Sequence, residues 1–383
     1  MPVSIERLRY ALPGHAAVQY ARTMGSWDLL ADLEVQIDGY TIEHHSRQVK
    51  PGWERITTTY VLQSDGAEGR GEDITKWPPV AQAVIDRGPH HPLAGTFTLG
   101  EFSEHLSTLD LFPDVGPEFA DEDPVNRRWG FESAAADLAL RQAGKSLHEV
   151  LGRTPRPLHF VTSFGLGDPA SLEPVTRRLA AYPDLRFKLD AVPNWLATPG
   201  LLEELAATGA IDAIDFKGHY RNQLADVPTD PELYRRVAET FADVWLEDPD
   251  LSVPEADAAL AAHRDRITWD GPIHTVADVE SRPFPPRALN VKPSRSGYWK
   301  DLLDIYDYCE REGILVYGGG QTELDVGRGH IQLLAAIFHP DTPNDVAPSG
   351  YDHRDFPETG LEPSPLDPRP DPIGFRRAEE GSS

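Results

Sequence analysis

One cysteine, two methionines and no apolar run approaching the roughly 20 residues of a bilayer-spanning helix set the first limits on this 383-residue chain. Cys309 sits in the helical pattern DLLDIYDYCEREG, and a lone thiol excludes an internal disulfide or a thiolate metal cluster. Positive charge is scarce: 36 Lys and Arg stand against 62 Asp and Glu, a formal net charge of −26. That balance opposes binding to nucleic acid or anionic lipid, both of which require basic surface to displace counterions. An anionic substrate would need local positive charge from lysines or a metal. The N-terminal stretch MPVSIERLRYALPG has neither a basic start followed by an apolar run nor a small-residue cleavage site, so no secretory leader is expected and a soluble, cytoplasmic protein is.

What is present suits a barrel of usual size plus one smaller domain. Hydrophobic residues at 40% and charged residues at 26% are globular values. From Ser4 to Ile74 polar and apolar residues alternate in short runs, notably LADLEVQIDGY and ITTTYVLQSDG, each ending in an Asp-Gly turn signal. This predicts a small antiparallel sheet, with His15, Tyr20, Met24, Trp27, His44, His45 and Trp53 on the connecting loops as surface or packing residues. The histidines are too widely spaced for a metal motif. Helical periodicity takes over from Trp129 to Leu151, with Gly152 as a stop, and its Ala-rich stripe predicts close packing at a domain boundary.

After Pro157 the pattern becomes strand, loop, helix, repeated. LHFVTSF, LRFKLDA, AIDFKGH, DVWLEDP, RITWDGP, ALNVKPS, ILVYGGG and the weaker DVAPSGY are eight strand candidates, separated by helical stretches such as PELYRRVAETFA and GRGHIQLLAAIF. This alternation predicts an α/β fold with a closed, parallel (βα)8 barrel. The competing open sheet would lack the glycine-rich phosphate turn of dinucleotide binders. The expected division is an N-terminal α+β domain over residues 1–150, a barrel over 151–350, and a Pro-rich, charged tail over 351–383 that packs back on the first domain and is disordered in its last few residues.

Inward positions of barrel strands normally hold branched apolar side chains, so charges at the strand ends are costly unless they perform chemistry. Here they cluster there. The second strand carries Lys188 and Asp190 on one face, the third Asp215 and Lys217, the fourth ends at Glu247, the fifth at Asp270 and the sixth at Lys292. Asp215, Glu247 and Asp270 converging on one mouth would repel unless a cation lay between them, and all-oxygen ligation selects a hard ion, Mg2+ or Mn2+. A lysine beside that ion is a candidate general base, and the ion would stabilise the negative charge left when a proton departs from carbon. The run Gly318-Gly319-Gly320-Gln321-Thr322-Glu323 allows close approach of backbone or ligand, placing Gln321 and Glu323 where they could touch substrate or a lysine.

With these residues the chain resembles the enolase superfamily, in the branch of muconate lactonising enzyme and o-succinylbenzoate synthase. GRGED at Gly69–Asp73 is similar to the end of that family's capping sheet, and FESAAADLALRQAGKSLHEVLG to its joining helix. The resemblance implies a capping domain that closes over the barrel mouth. It places Asp215, Glu247 and Asp270 at the metal ligands, Lys292 at the strand-six base and Glu323 at the family's strand-seven glutamate. It also implies loss of the proton α to a carboxylate of a small organic acid, by a lyase or isomerase that is a homo-oligomer. One departure is Lys188-x-Asp190, where the family has Lys-x-Lys. Asp190 could then act as a base, or Lys292 could act alone with Lys188 holding the substrate carboxylate. A second is Lys217, where the branch often has asparagine; it could bind substrate or pair with Asp215 or Asp190. Two other functions stay open: an acid-sugar dehydratase with Asp190 as proton donor, and a barrel that binds metal or organic acid without catalysis.

Overall fold

A computed structural model of the chain describes residues 24–50, 53–113, 124–220 and 226–378. The expectations made for His15, Tyr20, the N-terminal stretch and the last residues of the tail lie outside the described residues.

The N-terminal sheet is split in two. β1 (Glu34–Ile37) pairs antiparallel with β5 (Gly95–Thr98), whereas β2 (Gly39–Lys50), β3 (Trp53–Ser64) and β4 (Ala67–Asp73) form a three-stranded antiparallel sheet. The two Asp-Gly pairs therefore do different things. Asp65 and Gly66 both take positive φ, 48° and 78°, and make the tight β3–β4 turn that right-twisted hairpins favour. Asp38-Gly39 is instead the place where the chain leaves one sheet for the other. His44 and His45 belong to β2 and Trp53 begins β3, not loops, because the strands run longer than the alternation signalled.

The joining helix spans Pro124–Gln142 and is buried almost throughout, from Asn126 to Leu140. One face lies directly on β4, where glycine is required: a Cβ at Gly71 would stand 2.0 Å from the Gly130 carbonyl, and one at Gly69 2.2 Å from that of Ala134. The other face meets the barrel, with Trp129 against Trp299. The helix stops short of Leu151. Gly144 at φ 64° ends it, and Ser146 starts a separate turn, Leu147–Val150, with a capping box to Glu149.

Seven parallel strands follow: β6 (Thr162–Gly165), β7 (Phe187–Asp190), β8 (Ile211–Asp215), β9 (Trp245–Glu247), β10 (Ile267–Trp269), β11 (Ala288–Val291) and β12 (Leu315–Gly318), in sequential order. The eighth candidate, DVAPSGY, does not form a strand. Only its first residue and the one before it bridge, as Gly319↔Asp345 and Phe160↔Asn344, and these join the two ends of the sheet and so complete a modified (βα)8 barrel. Pro343 and Pro348 bracket this segment and can donate nothing to a ladder, which keeps it short. Inside the barrel, Ala213, Trp245, Ala288 and Tyr317 form a small apolar plug separate from the main core. By the two-residue period of a strand, Asp215, Glu247 and Asn290 sit one layer above the first three of these.

The tail runs over both parts. Leu366 bridges to Leu158, Gly374 to Ser146, and the Phe375 amide and the Arg376 guanidinium both reach Asp137 on the joining helix. Phe375 stacks on His330 with centroids 4.2 Å apart. Among the described residues no helix is long and apolar enough to cross a membrane.

His330 and His339 are fully buried, and burial lowers their pKa values to about 3 and about 4. A histidine depressed in the folded state contributes stability that is present above its unfolded value near 6.5 and lost as pH falls toward the folded value. Stability is therefore expected to fall by ~1.4 kcal/mol per pH unit per histidine between about pH 6.5 and 4. His330→Leu should remove one histidine's share of that slope in urea denaturation at pH 7, 6 and 5; an unchanged slope would count against this account.

Candidate active site

Strand register builds the site. Asp190 pairs with Asp215 and Asp215 with Glu247, so the ends of β7, β8 and β9 form one row across the sheet. Glu247 pairs with Thr268, which puts Asp270, two residues on, at the next level of the same inward face. Lys292 follows Asn290 by the same two-residue step at the end of β11.

Asp215, Glu247 and Asp270 are each fully buried, and each offers a carboxylate oxygen within 4.8 Å of the others. Three lysines converge on them. The Lys188 ammonium donates to Glu247 and lies 3.3 Å from Asp215 Oδ2 and 3.8 Å from Asp345 Oδ2. Lys217 donates to Asp215 and stands 3.1 Å from Asp190 Oδ1. Lys292 donates to Asp270 Oδ2 at 2.7 Å. Two residues with non-glycine positive φ follow the strand ends, Lys217 at 55° and Asp248 at 48°, the kind of backbone strain that concentrates at functional sites.

Several partners carried no clear sequence signal. Arg295 donates to Asp270 Oδ1 at 2.7 Å and to the Tyr220 hydroxyl at 3.1 Å, while Tyr220 donates to Asp270 Oδ2 at 2.8 Å. Tyr220 comes from a loop and Arg295 from the single helical turn Pro293–Ser296, both too short for any periodicity to announce a direction. Asp248 accepts the backbone N–H groups of Asp270 and Gly271 at 2.8 and 2.7 Å, tying the ends of β9 and β10 together. Glu247 is held by Tyr317, whose hydroxyl donates at 2.5 Å, and by the Asn290 amide at 3.2 and 3.3 Å. Asn290 and Tyr317 were findable: each occupies a strand position where a polar inward side chain is out of place.

The electrostatics show where positive charge is in short supply. Burial drives the Glu247 carboxyl up to about 8, with Asp215, Asp270 and Asp248 adding to the rise and Lys188 opposing it. Burial also pushes Asp248 up to about 7, helped by Asp270 and Asp215. Burial works the same way on Asp215 and Asp270, but there it is outweighed, by Lys217 and Lys188 in the first case and by Arg295, Lys292 and Lys188 in the second, and both carboxyls end below the usual range. A divalent cation among the three carboxylates fits this pattern: hard oxygen donors, close together, one of them lacking a full counter-charge.

The remaining candidates are placed differently. The Gln321 amide spans Ser294 Oγ at 2.9 Å and Asn126 Oδ1 at 3.3 Å, linking the mouth to the joining helix. Glu323 turns onto its own loop, accepting the Gln321 N–H at 2.8 Å and lying 3.5 Å from Arg328. The N-terminal domain holds that loop from both sides: Arg55 donates to the Gln321 and Thr322 carbonyls, and Glu72 accepts the N–H groups of Leu324, Asp325 and Gly327. A second acidic group, Glu43, His45 and Asp325, is half-buried and already tied to Arg70 and Thr59.

Two family models match the chain: "Domain of unknown function (DUF8230) N-terminal domain" over residues 28–150 and "Domain of unknown function (DUF8230) C-terminal domain" over residues 154–353. The o-succinylbenzoate synthase of Listeria innocua is 38% identical over 101 residues, 26% of this chain and 26% of that protein. The N-succinylamino acid racemase of Thermus thermophilus is 37% identical over 91 residues, 23% of this chain and 25% of that protein. The matched segments thus span about a quarter of these two curated relatives. Among solved structures, a member of the enolase superfamily from Listeria innocua superposes with a TM-score of 0.59 at 20% identity, covering 82% of this chain and 86% of that one. An enolase from Pseudomonas fluorescens with bound magnesium, potassium and tartrate gives 0.60 at 16% identity, covering 80% of each chain. Through both of its domains the chain belongs to the DUF8230 family, and its fold is that of the enolase superfamily.

Proposed function

We propose that this chain is a Mg2+-dependent enzyme, with Mn2+ as a substitute, that removes the proton α to a carboxylate of a small organic acid, as a lyase or isomerase. The observation that carries the reading is the set of three buried carboxylates, Asp215, Glu247 and Asp270, with the Lys292 ammonium 2.7 Å from one of them at the same barrel mouth. Bound by those three, a divalent cation supplies a fixed positive charge that stabilises the negative charge developing on the substrate carboxylate. Lys292 takes the proton in its neutral amine form and becomes the ammonium, and its place among buried groups keeps water from competing for it. Lys188 orients Glu247 and presents positive charge to the substrate, with Lys217 and Gln321 at the rim. Asp190 is engaged by Lys217, so a proton-donor role in acid-sugar dehydration has no observation in its favour.

The names of both curated relatives contain a succinyl-substituted acid, which makes succinyl-bearing carboxylates the first substrates to try. Incubating the protein in D2O with a carboxylate library that includes N-succinylamino acids should give deuterium at an α-carbon only when Mg2+ is present. No exchange with any member would favour a barrel that binds without catalysing.

A further inference from the structure

Lys217 is unlike the other cations around the three carboxylates. Its backbone N–H donates to Asp215 Oδ1 at 2.9 Å and its ammonium donates to Asp215 Oδ2, so one residue occupies both oxygens of one carboxylate. It does so from a left-handed backbone, φ 55°, a conformation a lysine rarely takes unless its surroundings impose it. The same ammonium is 3.1 Å from Asp190 Oδ1. Asp190 lies outside the triad and is one-third exposed, whereas Asp215 is fully buried. Lys188 and Lys292 differ on this point. Lys188 bridges Glu247 and Asp215 and has an outer carboxylate, Asp345, only at 3.8 Å, while Lys292 is held by Asp270 inside the triad. Lys217 thus stands with one carboxylate on the inner side and another, within hydrogen-bond distance, on the outer side.

A divalent cation that takes Asp215 as a ligand and an ammonium on that carboxylate's oxygen repel each other at short range in a region with little water to screen them. The ammonium has somewhere to go without leaving an ion pair. We propose that Lys217 is an internal competitor for the cation site: it holds Asp215 when no divalent ion is bound and transfers to Asp190 when one is. The proposal rests on the reading of Asp215, Glu247 and Asp270 as cation ligands. It gives Asp190 a role as a landing carboxylate, and it makes the affinity for metal a property of a residue that is not itself a ligand. After the transfer the ammonium remains at the mouth, where a substrate carboxylate would meet it.

Titration calorimetry with MnCl2 on the full chain tests this without any substrate. Lys217→Gln should bind Mn2+ roughly 10- to 100-fold more tightly than the unsubstituted protein, because the competing charge is gone. Asp190→Asn should bind it at least about fivefold more weakly, because the ammonium loses its alternative partner. In the Lys217→Gln background the Asp190→Asn change should cost less than about twofold, the non-additivity expected of two residues acting as one device. Lys217→Met serves as a second variant, and Asp190→Asn tests the idea independently if neither Lys217 variant folds. Equal affinity in Lys217→Gln and the unsubstituted protein, or the same Asp190→Asn penalty in both backgrounds, would overturn the competitor role while leaving the cation site standing. Absence of Mn2+ binding in every variant would remove the cation site and the competitor role together.

Discussion

Lys292→Met is expected to lower Mg2+-dependent α-proton exchange by a factor of about 1,000 or more, within the range of positioned acid–base groups. Methionine is the appropriate substitution because the lysine stem is packed: a Cβ on Gly319 would lie 2.6 Å from Lys292 Cε, so the channel accommodates an unbranched chain of similar length. The loss should not come from misfolding. With the ammonium gone, Asp270 keeps Arg295 on Oδ1 and the Tyr220 hydroxyl on Oδ2, so no buried charge is left unpaired. The check is the exchange rate in D2O measured beside thermal unfolding, on whichever carboxylate the library identifies. An exchange rate within tenfold of the unsubstituted protein, in a variant that folds, would mean that another group takes the proton.

Glu247→Gln separates the two demands placed on this buried cluster. Calorimetry should find divalent-cation affinity reduced at least about 100-fold, since a charged oxygen donor is replaced by a neutral one amid buried carboxylates. Stability should move the other way. A carboxyl whose folded pKa is raised to about 8 from an ordinary 4.5 subtracts stability progressively as pH rises between those values, and the full cost persists above about 8. Glutamine keeps the shape and removes the titration, and Lys188 retains Asp215 as a partner. The metal-free variant should therefore unfold at the same or a higher temperature than the unsubstituted protein at pH 8.5. A variant with weaker metal binding and a markedly lower unfolding temperature would show that Glu247 stabilises the fold in its charged form, contrary to this account.

The barrel was legible because its inward polar residues break a strong rule. A strand such as Ile214-Asp215-Phe216 or Leu289-Asn290-Val291 announces both its alternation and its exception, and register then fixes which exceptions meet. What was not legible came from interactions distant in sequence. The eighth strand looked like its fellows until two prolines limited it to bridges at Asn344 and Asp345. The helix over Trp129 to Leu151 looked continuous because a single glycine inside an Ala-rich run reads as a tolerated weakness, whereas Gly144 is an αL stop followed by a capping box. Tyr220 acts from a loop, Arg295 from a single helical turn and Arg55 from the other domain, and nothing local in their sequence context points to Asp270 or to the Gln321 loop. The direction in which Glu323 turns was equally hidden, because its contacts, the Gln321 N–H and Arg328, depend on the path of its own loop.

On the reading proposed above, one divalent cation sits among Asp215, Glu247 and Asp270. Diffraction from crystals soaked in MnCl2, collected above the manganese absorption edge, tests it by position. A single strong anomalous peak is expected in contact with an oxygen of each of the three carboxylates. A peak at Glu43, His45 and Asp325 instead, or none within reach of the barrel mouth, would contradict it.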